Sequence, residues 1–270
     1  TTLFRLIATL LPLQDGEITL LGSSISSQAA RVRHHLGVTF QSPSVDIRLT
    51  VAENLVHQGQ LYGLQGRHLT ETMDRVLTAL GLQDRRRELV ETLSGGLKRR
   101  VEIAKSLLHG PRFLLLDEPS TGLDPGARLD LWEVLTRLQR EQGVTVLVTT
   151  HLMEEAEKCD RLAILDRSRI VACDSPSRLR QALGGDCLTI RAAAPDDLAK
   201  QIEQRFGVTP RVMGDVLRLE HPAALDLLRD VAAAFRDQIA SIALSKPTLE
   251  DVFIERTGHR FWDDAKETEG

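Results

Sequence analysis

The chain has 270 residues, with 34 Lys and Arg against 38 Asp and Glu, a net charge of −4; 42% of residues are hydrophobic and 27% charged. That balance excludes collagen, disordered and mini-protein classes, leaves ample chain for a buried core, and gives no reason to expect nucleic acid as a partner. Cys159, Cys173 and Cys187 make neither a disulfide framework nor a C-x-x-C metal pair, and no apolar run approaches a bilayer span, so a reducing compartment and a membrane role through a separate partner are expected.

Leu3, Leu6, Ile7 and Leu10 recur at helical spacing from the first residues, Pro12 ends the run, and Asp15-Gly16 turns into a short strand at 18–21. A second short strand is expected at 38–41, broken by Ser42-Pro43-Ser44, before a mostly helical stretch over 51–89. From Leu93 the pattern changes to a Ser-Gly-Gly turn, a helix over 97–108, and the fully apolar strand 113–116, which ends in Asp117-Glu118. Helix 128–142, strand 145–150, helix 153–159 and strand 162–165 then alternate as in βαβ units, so the core is expected to be α/β. A hairpin-like piece at 169–174 and a helix over 176–183 lead to Gly184-Gly185, a plausible boundary. Beyond it the order is strand 187–192, helix 195–206, strands 209–213 and 216–219, helix 223–238 and strand 239–245, the split βαβ of ferredoxin-like folds.

Two carboxylates, Asp117 and Glu118, stand at the carboxyl end of a buried strand, where open α/β sheets bind ligands. One acid can hold a metal while its neighbour acts on water, although a strand end capped by solvated acids gives the same pattern. Ser94-Gly95-Gly96 opens a helix whose free N–H groups favour an anion; a Ser-capped helix after a flexible turn is the plainer reading. His151 follows strand 145–150, and Gln41 follows strand 38–41; each is uninformative alone.

Their order changes the reading. Gln41, Leu93-Ser94-Gly95-Gly96, Leu116-Asp117-Glu118-Pro119, Ser120-Thr121-Gly122-Leu123-Asp124 and His151 together closely resemble the nucleotide-binding domain of ABC transporters, over residues 1 to about 183. The resemblance implies a P-loop NTPase-like, mostly parallel sheet with a helical subdomain at about 51–92. It makes Gln41 the Q-loop, Ser94, Gly95 and Gly96 the signature, Asp117 the Walker B acid, Glu118 the catalytic acid, the loop ending at Asp124 the D-loop, and His151 the switch histidine. In the family a glycine-rich loop ending in Gly-Lys-Ser/Thr cradles the phosphates, and Thr1-Thr2-Leu3 looks like its last residues. Thr1 would then ligate Mg²⁺ with Gln41 and Asp117, and Thr1, Thr2, Gln41, Ser94, Gly95, Gly96 and Asp124 would contact ATP. The sequence as given carries no lysine of that loop, and Leu97 stands where many members have Gln.

Pro247-Thr248-Leu249-Glu250-Asp251-Val252-Phe253 resembles the C-terminal extension of ABC-2-type exporter ATPases, including those of drug-resistance operons; Leu249, Val252 and Phe253 also fit an amphipathic helix packing on its own domain. The resulting expectation is an ATPase domain over 1–184, a ferredoxin-like α+β domain over 185–257 and a polar tail over 258–270. By the resemblance, a homodimer or pseudo-dimer would close head to tail on two ATP molecules and drive a separate permease at the cytoplasmic face of the membrane. One alternative is that the chain as written, lacking the lysine, is a non-catalytic fragment of such a subunit. A soluble ABC-type ATPase of translation or DNA repair is a remote one, since neither a second cassette nor a coiled-coil insertion is seen.

Overall fold

The computed structural model describes residues 1–259, and the chain divides into two compact units, Thr1–Thr150 and His151–Gly270. Most of the polar tail expected over 258–270 therefore lies outside the described residues.

The first unit runs α1 (Thr2–Ile7), β1 (Thr19–Leu20), β2 (Ser23–Ser24), α2 (Ala29–His34), β3 (Leu36–Thr39), α3 (Val51–Leu61), α4 (Gly66–Ala79), α5 (Gly95–Leu107), β4 (Phe113–Asp117), α6 (Pro125–Gln142) and β5 (Thr145–Thr149). Strands β3, β4 and β5 form a parallel sheet with β4 in the middle. The central position explains the unbroken apolar run: Leu114, Leu115 and Leu116 are all fully buried, because a parallel strand between helices has no wet face. Each such side chain stabilises the fold by roughly 1.5–3 kcal/mol. The register pairs Thr39 with Leu116 and Asp117 with Thr149, so the residues following β3 and β4 emerge at one edge of the sheet.

Helix α1 stops at Ile7, short of the expected Leu10; Phe4 and Ala8 are buried against Leu115, whereas Thr9 takes φ 58° and Leu10 is exposed. The burial of Phe4 and Ala8, rather than the full apolar stripe, fixes its length. Helix α3 begins at a reciprocal cap in which Glu53 N donates to Thr50 Oγ1 and Thr50 N donates to Glu53. Leu55 of α3 and Met73 and Leu77 of α4 share one core with Val101 and Ile103 of α5 and with Leu131 and Leu135 of α6. Helix α6 starts three residues earlier than expected, because Asp124 caps it and Pro125 fits its first turn; Gly143 at φ 65° ends it.

The second unit runs α7 (Met153–Ala156), β6 (Leu162–Asp166), β7 (Arg169–Asp174), α8 (Pro176–Gln181), β8 (Asp186–Ala192), α9 (Pro195–Phe206), β9 (Arg211–Met213), β10 (Val216–His221), α10 (Ala224–Ala234), β11 (Ile239–Ser245) and α11 (Leu249–Thr257). Strand β6, expected to continue the parallel alternation, pairs antiparallel with β7 in a two-stranded sheet. The reason is local: Arg167 and Ser168 both take positive φ, at 45° and 64°, closing a two-residue hairpin whose twist matches its strands. The other sheet is antiparallel in the order β11-β8-β10-β9. With α9 and α10 packed on it through Leu198, Ile202, Leu227 and Val231, this is the ferredoxin-like βαββαβ arrangement expected from the sequence. Among the described residues no helix is long and apolar enough to cross a membrane.

Candidate active site

Asp117 is the last residue of β4 and is 1% exposed. Thr149, directly opposite on β5, donates from Oγ1 to Asp117 Oδ1 at 2.6 Å and accepts from Glu118 N at 2.9 Å. One hydroxyl thus fixes both the Asp117 carboxylate and the Glu118 backbone. Glu118 takes φ 44°, a left-handed conformation that is strained for a residue with a side chain, at a cost of about 1–3 kcal/mol. Its Oε2 accepts from Thr121 Oγ1 at 2.9 Å. The left-handed residue follows the last residue of β4, and the two adjacent acids have separate threonine partners.

Asp117 Oδ2 is buried and has no hydrogen-bond partner among the described residues. A bare carboxylate oxygen in such a place is costly, and a hard cation satisfies it. No group of three His, Cys, Asp or Glu gathers among the described residues to hold a metal alone. One buried carboxylate with a bare oxygen fits Mg²⁺, which usually takes one or two carboxylates, water and substrate phosphate oxygens. The Thr1 backbone nitrogen lies 3.9 Å from Asp117 Oδ1, which places the expected hydroxyl ligand at the same edge, with Thr2 exposed beside it as the first residue of α1.

The Ser-Gly-Gly segment is built differently. Ser94 caps α5, its Oγ accepting from Leu97 N at 3.4 Å. A Cβ on Gly96 would stand 2.7 Å from Ala127 Cβ, so glycine there lets α5 and α6 approach. A Cβ on Gly95 would make only ordinary contact, 3.6 Å from Leu123 Cδ2. Packing accounts for Gly96 and does not account for Gly95, which is exposed at the helix start. Asp124 accepts from Ala127 N at 2.9 Å, so its carboxylate caps α6.

Sequence reasoning missed Thr149 and, behind both loops, Arg99 and Glu102. Arg99 Nη1 donates to Glu102 Oε2 at 2.6 Å and to Phe40 O at 2.8 Å; Nε donates to Pro119 O at 2.9 Å and Nη2 to Asp117 O at 3.1 Å. Glu102 Oε1 accepts from Ser44 N at 2.9 Å, and Lys105 Nζ donates to Ser44 O. Burial holds the Lys105 ammonium below its usual range, against the opposing pull of Glu102 and Asp46. The signal was available: residues 96, 99 and 103 share a helical face, and Gly96 and Ile103 are buried. The basic run Lys98-Arg99-Arg100 hides it by looking like a solvated face.

Gln41 is exposed at the edge reached by β3. His151 is half-buried and opens the second unit. The structure thus gathers Thr1, Asp117, Glu118 and the flanks of Gln41 at one edge of the parallel sheet, while the contacts of Ser94 and Gly96 run to α5 and α6.

The family model described as ABC transporter matches residues 1–121. The daunorubicin/doxorubicin resistance ATP-binding protein DrrA of Streptomyces peucetius is 34% identical over 269 residues, covering 96% of this chain and 81% of that protein. The chain belongs to the ABC transporter family. The linearmycin resistance ATP-binding protein LnrL of Bacillus subtilis is 31% identical, covering 97% of this chain and 87% of LnrL. Nod factor export ATP-binding protein I of Sinorhizobium fredii is 34% identical, with 97% and 76% covered. Among solved structures, cbiO1 of Clostridium perfringens, part of the ABC transporter complex cbiONQ, superposes with a TM-score of 0.62 over 76% of this chain and 79% of cbiO1 at 24% identity, a likeness of fold. The ABC assignment makes the chain a nucleotide-binding ATPase subunit.

Proposed function

We propose that this chain powers an ABC-2-type exporter, with Asp117 holding Mg²⁺ and Glu118 preparing water to attack the terminal phosphoryl group of ATP. The observation that carries the reading is the pairing of a buried Asp117 Oδ2 that has no hydrogen-bond partner among the described residues with a neighbouring, half-buried Glu118 held on a left-handed backbone. When bound, Mg²⁺ neutralises charge developing on the phosphate oxygens. Thr149 keeps the Asp117 carboxylate in one orientation, and Thr121 restrains that of Glu118. Glu118, half-buried, can accept a proton from water or orient it. Thr1 and Gln41 are proposed as further oxygen ligands of the ion, and Thr1, Thr2 and Gln41 as nucleotide contacts. His151 is assigned to the γ-phosphate by the family resemblance.

The open Gly95 supports a shared site in which Ser94, Gly95 and Gly96 face the nucleotide held by a second ATPase subunit, with the Asp124 loop beside them. We divide the chain functionally near Gly184-Gly185, with the helical subdomain at 51–92 and the accessory domain at 185–257. The partner is a separate integral-membrane permease, and the subunit is peripheral at the cytoplasmic face. The relatives' names split between drug resistance and Nod factor export, which supports export and leaves the cargo open.

The test uses the chain with a complete phosphate-binding loop placed ahead of Thr1. Glu118→Gln should lower ATP turnover by about 10²–10⁴-fold, keep ATP binding, and elute with ATP as a dimer on size-exclusion chromatography. Full turnover in that variant would falsify the role of Glu118; a monomer with ATP bound would remove the shared site.

A further inference from the structure

Arg99 and Glu102 lie inside the first unit, 8% and 5% exposed, one helical turn apart on α5. Together they hold both flanks of Gln41: Arg99 takes the carbonyl of Phe40, and Glu102 takes the N–H of Ser44. The same guanidinium holds both flanks of Glu118, through the carbonyls of Asp117 and Pro119. Nε, Nη1 and Nη2 all donate, so every nitrogen of the planar fork is engaged and four of its five N–H groups are used. Such a fork cannot follow one loop without pulling on the other. A left-handed residue persists only where its surroundings over-determine it, and at Glu118 the preceding carbonyl, its own N–H and the next carbonyl are all held. A buried ion pair is seldom the most stable filling for such a space. Its use here is geometric, since no apolar pair could hold four backbone groups from two loops.

We infer that Arg99 and Glu102 are positioning residues that couple the Gln41 loop to the Glu118 turn, so that displacing the loop changes the aim of the Glu118 carboxylate. The inference rests on the roles proposed above for Gln41 and Glu118. It makes α5 the mechanical link between a loop expected to sense the metal and the partner and the acid expected to act on water. A guanidinium that merely fills the interior would produce a different pattern of effects.

Two measurements separate these cases. The first is amide hydrogen exchange on the 270-residue chain carrying Glu102→Gln, which keeps size and an acceptor for Ser44 N–H but removes the charge that holds Arg99. Exchange at Ser44, Glu118 and Thr121 should rise together by roughly tenfold or more; a rise confined to Ser44 and its neighbours overturns the coupling. Should Glu102→Gln unfold the chain, Arg99→Lys, which keeps the charge and loses the fork, is measured at the same amides: a joint rise supports the coupling, and a rise at one loop alone overturns it. The second is a kinetic cycle in the chain carrying a complete phosphate loop. Arg99→Lys should lower kcat by about tenfold to a hundredfold with KM for ATP within about threefold, the pattern of a misplaced catalytic group. Gln41→Ala should then cost much less in the Arg99→Lys background than alone. Effects that simply multiply overturn the inference while leaving Glu118 its role; full turnover in Glu118→Gln overturns both.

Discussion

Two arginine–carboxylate pairs with buried carboxylates, one in each unit, use the same chemistry to different ends. In the first unit Arg99 meets Glu102; in the second Arg218 of β10 meets Asp251 of α11, with Asp251 as buried as Glu102, at 3% against 5%. Arg99 commits every nitrogen to a partner, three backbone carbonyls among them. Arg218 reaches Asp251 through Nη2, and its Nε has no hydrogen-bond partner among the described residues. Asp251 in turn closes its own helix cap, its Oδ2 accepting from Thr248 N and Oγ1, each at 2.7 Å. Arg211 nearby adds bonds to Glu255 at 2.5 Å and to Ile254 O at 3.1 Å, again joining sheet to α11. The second cluster is a fastening for one helix, whereas the first spans two loops that carry chemistry. What distinguishes a positioning pair from a fastening is therefore which backbone groups the guanidinium holds, since the charges are the same and the two carboxylates are almost equally buried.

Removing each arginine gives the largest expected effect and bears directly on that contrast. Arg99→Met strands Glu102 as an uncompensated charge and frees three carbonyls, a loss on the order of 3–5 kcal/mol in urea unfolding. Arg218→Met should cost about 1–3 kcal/mol, because the Arg218 side chain is 21% exposed and water can replace it beside Asp251. In the chain with a complete phosphate loop, Arg218→Met should keep kcat. Equal losses of stability, or a fall in kcat for Arg218→Met, would erase the distinction.

The paired glycines sharpen the same separation of fold from chemistry inside one motif. Gly96→Ala drives a methyl into Ala127, and overpacking of this kind costs about 1–3 kcal/mol. Gly95→Ala meets only ordinary contact with Leu123 at the first position of α5, so the fold should hold. Turnover should nevertheless fall by on the order of a hundredfold in Gly95→Ala, as expected where a backbone approaches a ligand. Comparable melting temperatures for the two variants would assign both glycines to packing; undiminished turnover in Gly95→Ala would detach the segment from the nucleotide.

Much of this was legible from the residue pattern. The apolar run ending at Asp117-Glu118 reads as a buried parallel strand because burial on both faces removes alternation, and the ferredoxin-like order follows from strands and helices with clear periods. A hairpin-like piece was legible at 169–174, but its pairing back onto β6 was not, since Arg167 and Ser168 lack the Asn-Gly signature that usually marks a turn of that type. Helix limits depended on caps, as at Asp124, and on tertiary burial, as at Phe4 and Ala8. The candidate site residues are short loop motifs whose order carries the family resemblance. Thr149, Arg99 and Glu102 are not, because their importance lies in the backbone groups they hold at sequence separations of 18 to 59; the helical face of Arg99 marks it as inward-facing without naming those partners.

The smallest expected effect tests whether the fastening of α11 carries a charge imbalance that Arg99 and Glu102 avoid. Glu220 of β10 has its carboxyl pushed above the usual range, first by desolvation and then by Glu255 and Asp251, with Arg211 and Arg218 pulling the other way. Cys187, facing Asp251 and Glu220, is held as a thiol, pushed up to about 12 mainly by burial. The folded state therefore binds the Glu220 proton more tightly than the unfolded chain does. Its stabilising contribution is full below the ordinary value of 4.5 and is lost as pH rises through the raised one. Glu220→Gln removes that loss, so the variant should melt above the parent at pH 7 by less than about 1 kcal/mol, as suits a group partly open to solvent. The gap should close near pH 4, where both side chains are neutral. A gap of equal size at both pH values would place the effect in packing; a parent more stable than Glu220→Gln at neutral pH would reverse the sign and show that Arg211 and Arg218 outweigh the acids around them.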